Sequence, residues 1–336
     1  MKKYNVAVVG VGAVGRELLR LLKKRKFPFG TLKVFARSAR DIEVAGATYP
    51  VEKIDHDAFG GIDIALFAGT EGEKGASKTY SKDAIKQGAV VIDNGKDYRL
   101  EKGVPLVIPE VNSDDIFTHS GLIANPNCST IQMVLSIYPI LKLSPIERLI
   151  ISTYQAASGA GSKAASELFT QVEETLKGKE PTIESHPKRL AFNVIPQIGS
   201  FGKDGYTTEE WKLVNETHKI LHNDKIKITS TCVRVPVKTG HSQAVYLETE
   251  QPLDENEVKK ALKEQSGIKV IDESSDKKYP LPYEAEGKDE VFVGRIRKDP
   301  YNDKGLWLWV VSDNLLKGAA LNAVQIAEVI IKSPKS

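Results

Sequence analysis

Asn5-Val6-Ala7-Val8-Val9-Gly10-Val11-Gly12-Ala13-Val14-Gly15 decides the fold of this chain. Asn5 to Val9 is a short apolar run that ends at a glycine, the pattern of a strand buried on both faces. From Ala13 to Lys24, Leu18, Leu19, Leu21 and Leu22 recur among charges, which predicts a helix with one apolar stripe. A Gly-x-Gly-x-x-Gly string between a strand and a helix is a dinucleotide-binding signal; elsewhere it is only a glycine-rich turn. Gly10 permits the tight turn, Gly12 lets the backbone approach a pyrophosphate, and Gly15 lets the helix pack on the strand. Ala13 and Val14 then sit at the helix N-terminus, where the dipole faces the anion.

The next elements extend this reading. Strands are expected at Lys33–Ala36, Ile62–Phe67 and Ala89–Ile92, with a helix over Lys78–Gln87. Alternation of this kind gives a parallel sheet covered on both faces, a Rossmann-type domain over residues 1–127. The end of the second strand selects the cofactor. NAD sites place an acid about 20 residues after the glycines, against the ribose 2′-hydroxyl. Here the chain reads Arg37-Ser38-Ala39-Arg40, two guanidinium groups and no carboxylate. That set suits a 2′-phosphate and predicts NADP, the alternative being two ordinary surface cations.

Beyond about Leu122 the pattern changes. Helices are expected at Thr130–Leu143, Lys163–Leu176 and Thr208–Leu221. Strands are expected at Arg148–Tyr154, Ile226–Val235, Ser242–Thr249, Val291–Arg297 and Leu306–Val311. Strands without intervening helices predict a mixed or antiparallel sheet, hence an α+β domain over residues 128–316. Ser266–Lys288 reads as polar loop. A last amphipathic helix, within 317–336, is expected to complete the first domain.

Composition limits the alternatives. The 336 residues carry 47 basic and 44 acidic side chains, a net charge of +3, with no long basic block. That balance argues against nucleic-acid binding. Lys23 to Lys26 reads as the solvated end of a helix, where cations suit the dipole. No apolar run reaches the ~18 residues of a membrane span, and a strand follows the first residues at once, so no membrane segment or signal peptide is expected. Two cysteines, Cys128 and Cys232, are too few for a disulfide framework and lack metal-ligand spacing, so a cytoplasmic protein without metal is expected.

Cys128 stands in Asn125-Pro126-Asn127-Cys128-Ser129-Thr130, at the entrance of an apolar helix. The positive end of a helix dipole lowers a thiol's pKa from its usual ~8.5, and a thiolate is a nucleophile toward acyl carbon. Cys232 lies instead in an alternating strand beside Val233 and Val235 and reads as structural.

At these residues the sequence resembles a known family. Asn125–Thr130, Thr153-Tyr154-Gln155-Ala156-Ala157-Ser158-Gly159-Ala160-Gly161 and Glu209-Glu210-Trp211-Lys212 are similar to the aspartate-semialdehyde dehydrogenases. So are Thr231–Val237, Gly240-His241-Ser242, Val293–Arg297 and Asp313–Ala320. The motifs run through nearly the whole chain in order. The resemblance implies a Rossmann-type domain and a substrate and dimerisation domain of the semialdehyde-dehydrogenase/glyceraldehyde-phosphate-dehydrogenase-like type. It implies NADPH-dependent reduction of aspartyl 4-phosphate to aspartate 4-semialdehyde and phosphate, in lysine/diaminopimelate, methionine and threonine biosynthesis.

It also implies roles. Cys128 is the acylated nucleophile, His241 the general acid/base, and Gln155 orients the intermediate. Arg234 grips the substrate carboxylate with Glu209 near the amine, while Arg99, Lys212 and Asn127 bind the phosphoryl group. Ser158, Gly159, Asn314 and Gln325 approach the cofactor, and the assembly is a homodimer or homotetramer. Glu209 and Lys212 also read as an i,i+3 ion pair.

Three stretches depart from the family pattern. Gly10–Gly15 is one residue shorter than Gly-x-x-Gly-x-x-Gly, Phe67-Ala68-Gly69-Thr70-Glu71-Gly72 lacks a serine-rich run, and Asp93-Asn94-Gly95-Lys96 replaces Asp-Asn-Ser-Ser. All three surround the cofactor and leave the strictness of NADP over NAD open. An N-acetylglutamyl-phosphate reductase and a non-catalytic NADP-binding sensor remain as other readings.

Overall fold

A computed structural model describes residues 2–69 and 75–333. The Thr70–Gly72 part of the departing segment lies outside them. The chain divides into two compact units, residues 1–127 with 319–336, and residues 128–318.

The first unit begins with β1 (Tyr4–Val9), α1 (Ala13–Lys24) and β2 (Phe29–Ala36). A hairpin of β3 (Arg40–Val44) and β4 (Ala47–Lys53) follows, then β5 (Ile64–Phe67), α2 (Ala76–Lys86) and β6 (Val90–Asp93). A short helix, α3 (Pro109–Asn112), precedes β7 (Leu122–Ala124). The sheet order is β3-β4-β2-β1-β5-β6-β7, and all neighbours are parallel except β3 with β4. Without the β3 edge this is the doubly wound 3-2-1-4-5-6 order. The four leucines of α1 are fully buried, each worth ~1.5–3 kcal/mol of apolar burial. The chain returns to this unit as α9 (Leu321–Lys332), which packs on α1 and is clamped to it by Arg25, bidentate on Glu328 at 2.7 and 2.8 Å.

The hairpin was not expected from the sequence. Its turn, Ala45-Gly46, has positive φ at both residues, as tight two-residue hairpins require. Only Ile42, Val44 and Val51 of its strands are buried, too few for the alternation to stand out.

The second unit holds α4 (Cys128–Leu141), β8 (Ile146–Gln155), α5 (Ser162–Leu176), α6 (Thr208–Leu221), β9 (Lys227–Arg234) and β10 (His241–Thr249). After them come α7 (Glu255–Glu264), β11 (Ile268–Val270), α8 (Pro282–Ala285), β12 (Val291–Asp299) and β13 (Asn302–Ser312). The sheet is mixed, in the order β11-β12-β13-β10-β8-β9, as the helix-poor pattern predicts. The polar stretch expected as loop contains β11 and α8. Alternation sorts each strand's side chains to two faces. Leu149, Ile151, Val245, Leu247, Leu308 and Val310 are buried on the face that meets α4. The opposite face carries Ile150, Ser152, Tyr154, Ala244, Trp307 and Trp309, none of them fully buried. A π-helical turn, Leu316–Ala320, carries the chain out of this unit, which ends at Gly318.

Candidate active site

Cys128 is the first residue of α4 and is partly exposed, whereas Cys232 is fully buried in β9 with its thiol pushed far up by desolvation. Only the first can act as a nucleophile. Gly318 packs directly on it: a Cβ at Gly318 would stand 2.8 Å from the Cβ of Cys128. Two glutamines tie the first turn of α4 to the sheet. Gln132 donates to the carbonyl of His241 at 3.3 Å and accepts from Ser312 Oγ at 2.6 Å. Gln243 donates to the carbonyl of Ser129 at 2.9 Å.

The peptide of Ala156, just past the end of β8, organises the rest. Its N–H donates to His241 Nδ1 at 3.0 Å and its carbonyl accepts from Arg234 Nη1 at 2.6 Å. His241 opens β10 after Gly240, where φ is +94° and a Cβ would meet Pro282 at 2.9 Å, so the turn demands glycine. The imidazole is fully buried, and its Nε2 has no hydrogen-bond partner among the described residues. Burial first, then the Arg234 charge, bring its pKa down to about 3. Burial likewise lowers that of Arg234, while the Glu209 and Cys128 charges oppose the shift. Gly159 closes over both groups: a Cβ there would lie 2.9 Å from Arg234 Nη1 and 3.0 Å from His241 Cε1 and Nε2.

Glu209 and Lys212 do form the i,i+3 ion pair, at 2.9 Å, on α6. Glu209 is nevertheless buried and also accepts from Gln155 Nε2 at 3.2 Å. Glu210 beside it does structural work, closing a capping box with Thr207 and accepting from the N–H of Cys232. Asn314 bonds the Ser158 hydroxyl at 3.0 Å and accepts from the N–H of Gly240 at 2.9 Å. Gln155, Ser158, Gly159, Glu209, Lys212, Arg234, His241 and Asn314 thus fall into linked clusters in the second unit, which also holds Cys128.

The remaining expected residues belong to the first unit. Gly10 has φ +98°, and a Cβ at Gly15 would lie 1.9 Å from the Gly10 carbonyl oxygen, so the fold itself requires both glycines. Gly12 differs: a Cβ there would meet nothing within 4 Å. As N-cap of α1 it offers no capping side chain, and the first turn holds no acid. An open approach to an uncapped helix N-terminus, Ala13 and Val14 included, fits a pyrophosphate. Arg37, Ser38 and Arg40 are exposed, with Arg40 Nη1 on the Ser38 hydroxyl at 2.9 Å. Arg99 is buried and donates to the Asn94 carbonyl at 2.8 Å. Gln325 donates to Glu110 at 2.8 Å, and Asn127 is the buried neighbour of Cys128 along the chain.

Two family models match the chain: "Semialdehyde dehydrogenase, NAD binding domain" over residues 5–119 and "Semialdehyde dehydrogenase, dimerisation domain" over residues 137–317. The aspartate-semialdehyde dehydrogenase of Aquifex aeolicus is 47% identical over 98% of both chains. That of Bacillus subtilis is 45% identical over 98% of this chain and 97% of its own. The crystal structure of aspartate semialdehyde dehydrogenase II complexed with ASA from Vibrio cholerae superposes with a TM-score of 0.93 at 40% identity, covering 99% of this chain and 100% of that one.

The chain belongs to the aspartate-semialdehyde dehydrogenase family. It is accordingly an oxidoreductase, and the expected fold and family are both borne out. Among the described residues no helix is long and apolar enough to cross a membrane. For this family member the sequence reading missed four supports of the site: Ala156, Gln132, Gln243 and Gly318. Gln132 was within reach, because it lies four residues after Cys128 on an otherwise apolar helix and so shares its face. Ala156 acts through its main chain, which leaves no mark in the sequence.

Proposed function

We infer that this chain reduces aspartyl 4-phosphate with NADPH to aspartate 4-semialdehyde and phosphate, through a thioester on Cys128. The observation that carries this reading is the Ala156 main chain, which holds an imidazole and a guanidinium together in the unit whose one partly exposed thiol, Cys128, begins α4. Cys128 attacks the acyl carbon at the positive end of α4, and phosphate leaves. Reduced nicotinamide supplies the hydride that turns the thioester into a thiohemiacetal. His241 serves the substrate oxygen through Nε2, and Gln155 orients the acyl group. Arg234 pairs with the substrate carboxylate as a planar fork, and Glu209 takes the amine. The phosphoryl-binding role goes to Arg99 in the first unit and to Lys212 and Asn127.

Gly10, Gly12, Ala13, Val14 and Gly15 would hold the cofactor pyrophosphate, and Arg37, Ser38 and Arg40 a 2′-phosphate. Ser158, Gly159, Asn314 and Gln325 would serve the nicotinamide end. The apolar face around Ser152 and Ala244 would bury against a second copy.

One assay panel tests the reading: aspartate semialdehyde against N-acetylglutamate semialdehyde, each with phosphate and with NADP or NAD. Turnover is expected with the unacetylated aldehyde and at least tenfold better with NADP. Cys128→Ser is expected to abolish turnover while NADPH binding survives. Activity with the acetylated aldehyde alone would overturn the substrate, and equal use of NAD would overturn the cofactor.

A further inference from the structure

The chain between α5 and α6, residues 177–207, is joined to its surroundings by isolated bridges rather than by strands. Connections of that length without regular structure are uncommon in a compact unit and are usually tied to function. One face of α5 holds it down. Glu167, Gln171 and Glu174 stand at i, i+4 and i+7 and so share that face. Glu167 accepts from the N–H of Ser185, and Glu174 accepts from the N–H and the hydroxyl of Thr182 at 2.6 and 2.7 Å.

Gln171, fully buried between them, makes the most contacts with the main chain of the connection. Its Oε1 accepts from the N–H groups of Leu190 and Ala191 at 2.8 and 3.0 Å. Its Nε2 donates to the Thr182 carbonyl at 2.9 Å and to Glu167 Oε1 at 3.0 Å. All four hydrogen-bonding positions of the amide are filled. An apolar side chain in its place would leave two buried N–H groups without partners. Further along, Ile195 exchanges both main-chain hydrogen bonds with Arg234, donating at 2.9 Å and accepting at 2.8 Å. Leu190, Ala191 and Ile195 also pack with Leu168 of α5 around Ala157. Ala157 follows Ala156, whose carbonyl accepts from the Arg234 guanidinium. The main chain of Arg234 and the acceptor of its side chain thus both rest on the segment that Gln171 anchors.

We propose that Gln171 is a positioning residue for substrate recognition: by anchoring Leu190 and Ala191 it fixes Ile195, and through Ile195 the Arg234 fork that takes the substrate carboxylate. The inference rests on the assignment of Arg234 to that carboxylate. A planar fork pairs with a carboxylate only in one alignment, so a loosened Arg234 binds more weakly. The nucleophile is secured elsewhere, because Gln132 and Gln243 tie its helix to β10 and β13. Loss of Gln171 therefore acts on binding and spares the chemical step.

Gln171→Met keeps the volume of the side chain and removes all four bonds. It is expected to raise KM for the aldehyde about tenfold while kcat changes less than about threefold, the signature of lost binding. Glu174→Ala, which frees Thr182 but leaves Leu190 and Ala191 anchored, is expected to keep the wild-type KM. An unchanged KM in Gln171→Met, or an equal rise in both variants, would overturn the proposal. Should Gln171→Met not fold, Gln171→Asn carries the amide on a shorter arm and is expected to raise KM about threefold; no rise there would overturn it too. Hydrogen exchange of the full-length enzyme gives a readout without substrate. In the Gln171 variant the Ile195 and Arg234 amides are expected to exchange about tenfold faster or more, while Val235, bonded to the Gln155 carbonyl, keeps its protection. Unchanged protection at Ile195 and Arg234 would likewise overturn the proposal. KM is read on whichever carboxylate-bearing aldehyde the wild type turns over. A failed substrate assignment therefore shows in the wild type, and a failed positioning role only in the variants.

Discussion

At the residue scale, the buried His241 couples the active site to acid stability. Its folded pKa of about 3 lies below the usual 6.5, so between those values the unfolded chain binds more protons than the folded one. Stability therefore rises with pH through that window and is lost on acidification below about 6.5. Each pH unit inside the window is worth up to ~1.4 kcal/mol from this one group. His119 and His186, also lowered by burial, act in the same sense. His241→Gln removes the largest contributor. Its urea midpoint is expected to fall less than that of wild type between about pH 7 and 5, by ~2 kcal/mol equivalent. Parallel acid limbs for the two proteins would show that the imidazole is not held neutral by the fold. Of this site, Cys128 was legible in the sequence because a polar entrance to an apolar helix is a local signal. The Ala156 peptide was not, since its partner His241 is 85 residues away and the contact uses backbone atoms.

At the element scale, the β1–α1 turn separates glycines needed by the fold from one kept free for a ligand. The sequence alone assigned each glycine of the loop a role, and the geometry sharpens two of them. A methyl at Gly15 collides with backbone, the Gly10 carbonyl at 1.9 Å, and neither helix nor strand can yield without losing its packing. A methyl at Gly12 enters open space at an ordinary φ of −71°. Gly15→Ala is expected to lose ~3 kcal/mol or more, as overpacking does, seen as a large drop in melting temperature. Gly12→Ala is expected to melt like wild type yet bind NADPH at least tenfold more weakly, measured by fluorescence titration. Unchanged affinity in Gly12→Ala would remove the pyrophosphate from this loop. Strands β1, β5 and β6 were readable because they are almost wholly apolar and largely buried on both faces. The β3–β4 hairpin, half exposed, and α7, with only Val258 and Leu262 buried, gave too little periodicity.

At the scale of the whole molecule, the chain passes between its two units twice, after Asn127 and after Gly318. Those two crossings meet at the nucleophile, because Gly318 packs against Cys128. The sequence reading expected boundaries after 127 and 316, but it could not show which sheet face a partner covers. The half-open face of the second unit supplies a physical criterion. Tyr154 and Trp309 pack there as tilted rings with centroids 5.5 Å apart, and Tyr246 and Trp307 likewise at 5.0 Å. Trp309 is anchored by its N–H on the Pro280 carbonyl, so the β12 side is covered by the chain itself. The uncovered part is centred on β8, β9 and β10, where Ser152 pairs with Ala244 on one side and Thr231 on the other. In a symmetric dimer the same patch meets itself, so one substitution acts on both copies. Ser152→Glu would leave the isolated chain almost untouched, with its carboxylate in water. In the dimer it would bury two like charges without partners, at several kcal/mol each. Sedimentation velocity is expected to find a wild-type dimer or larger assembly and a Ser152→Glu variant shifted to monomer at micromolar concentration. An unshifted variant would move the interface off this face.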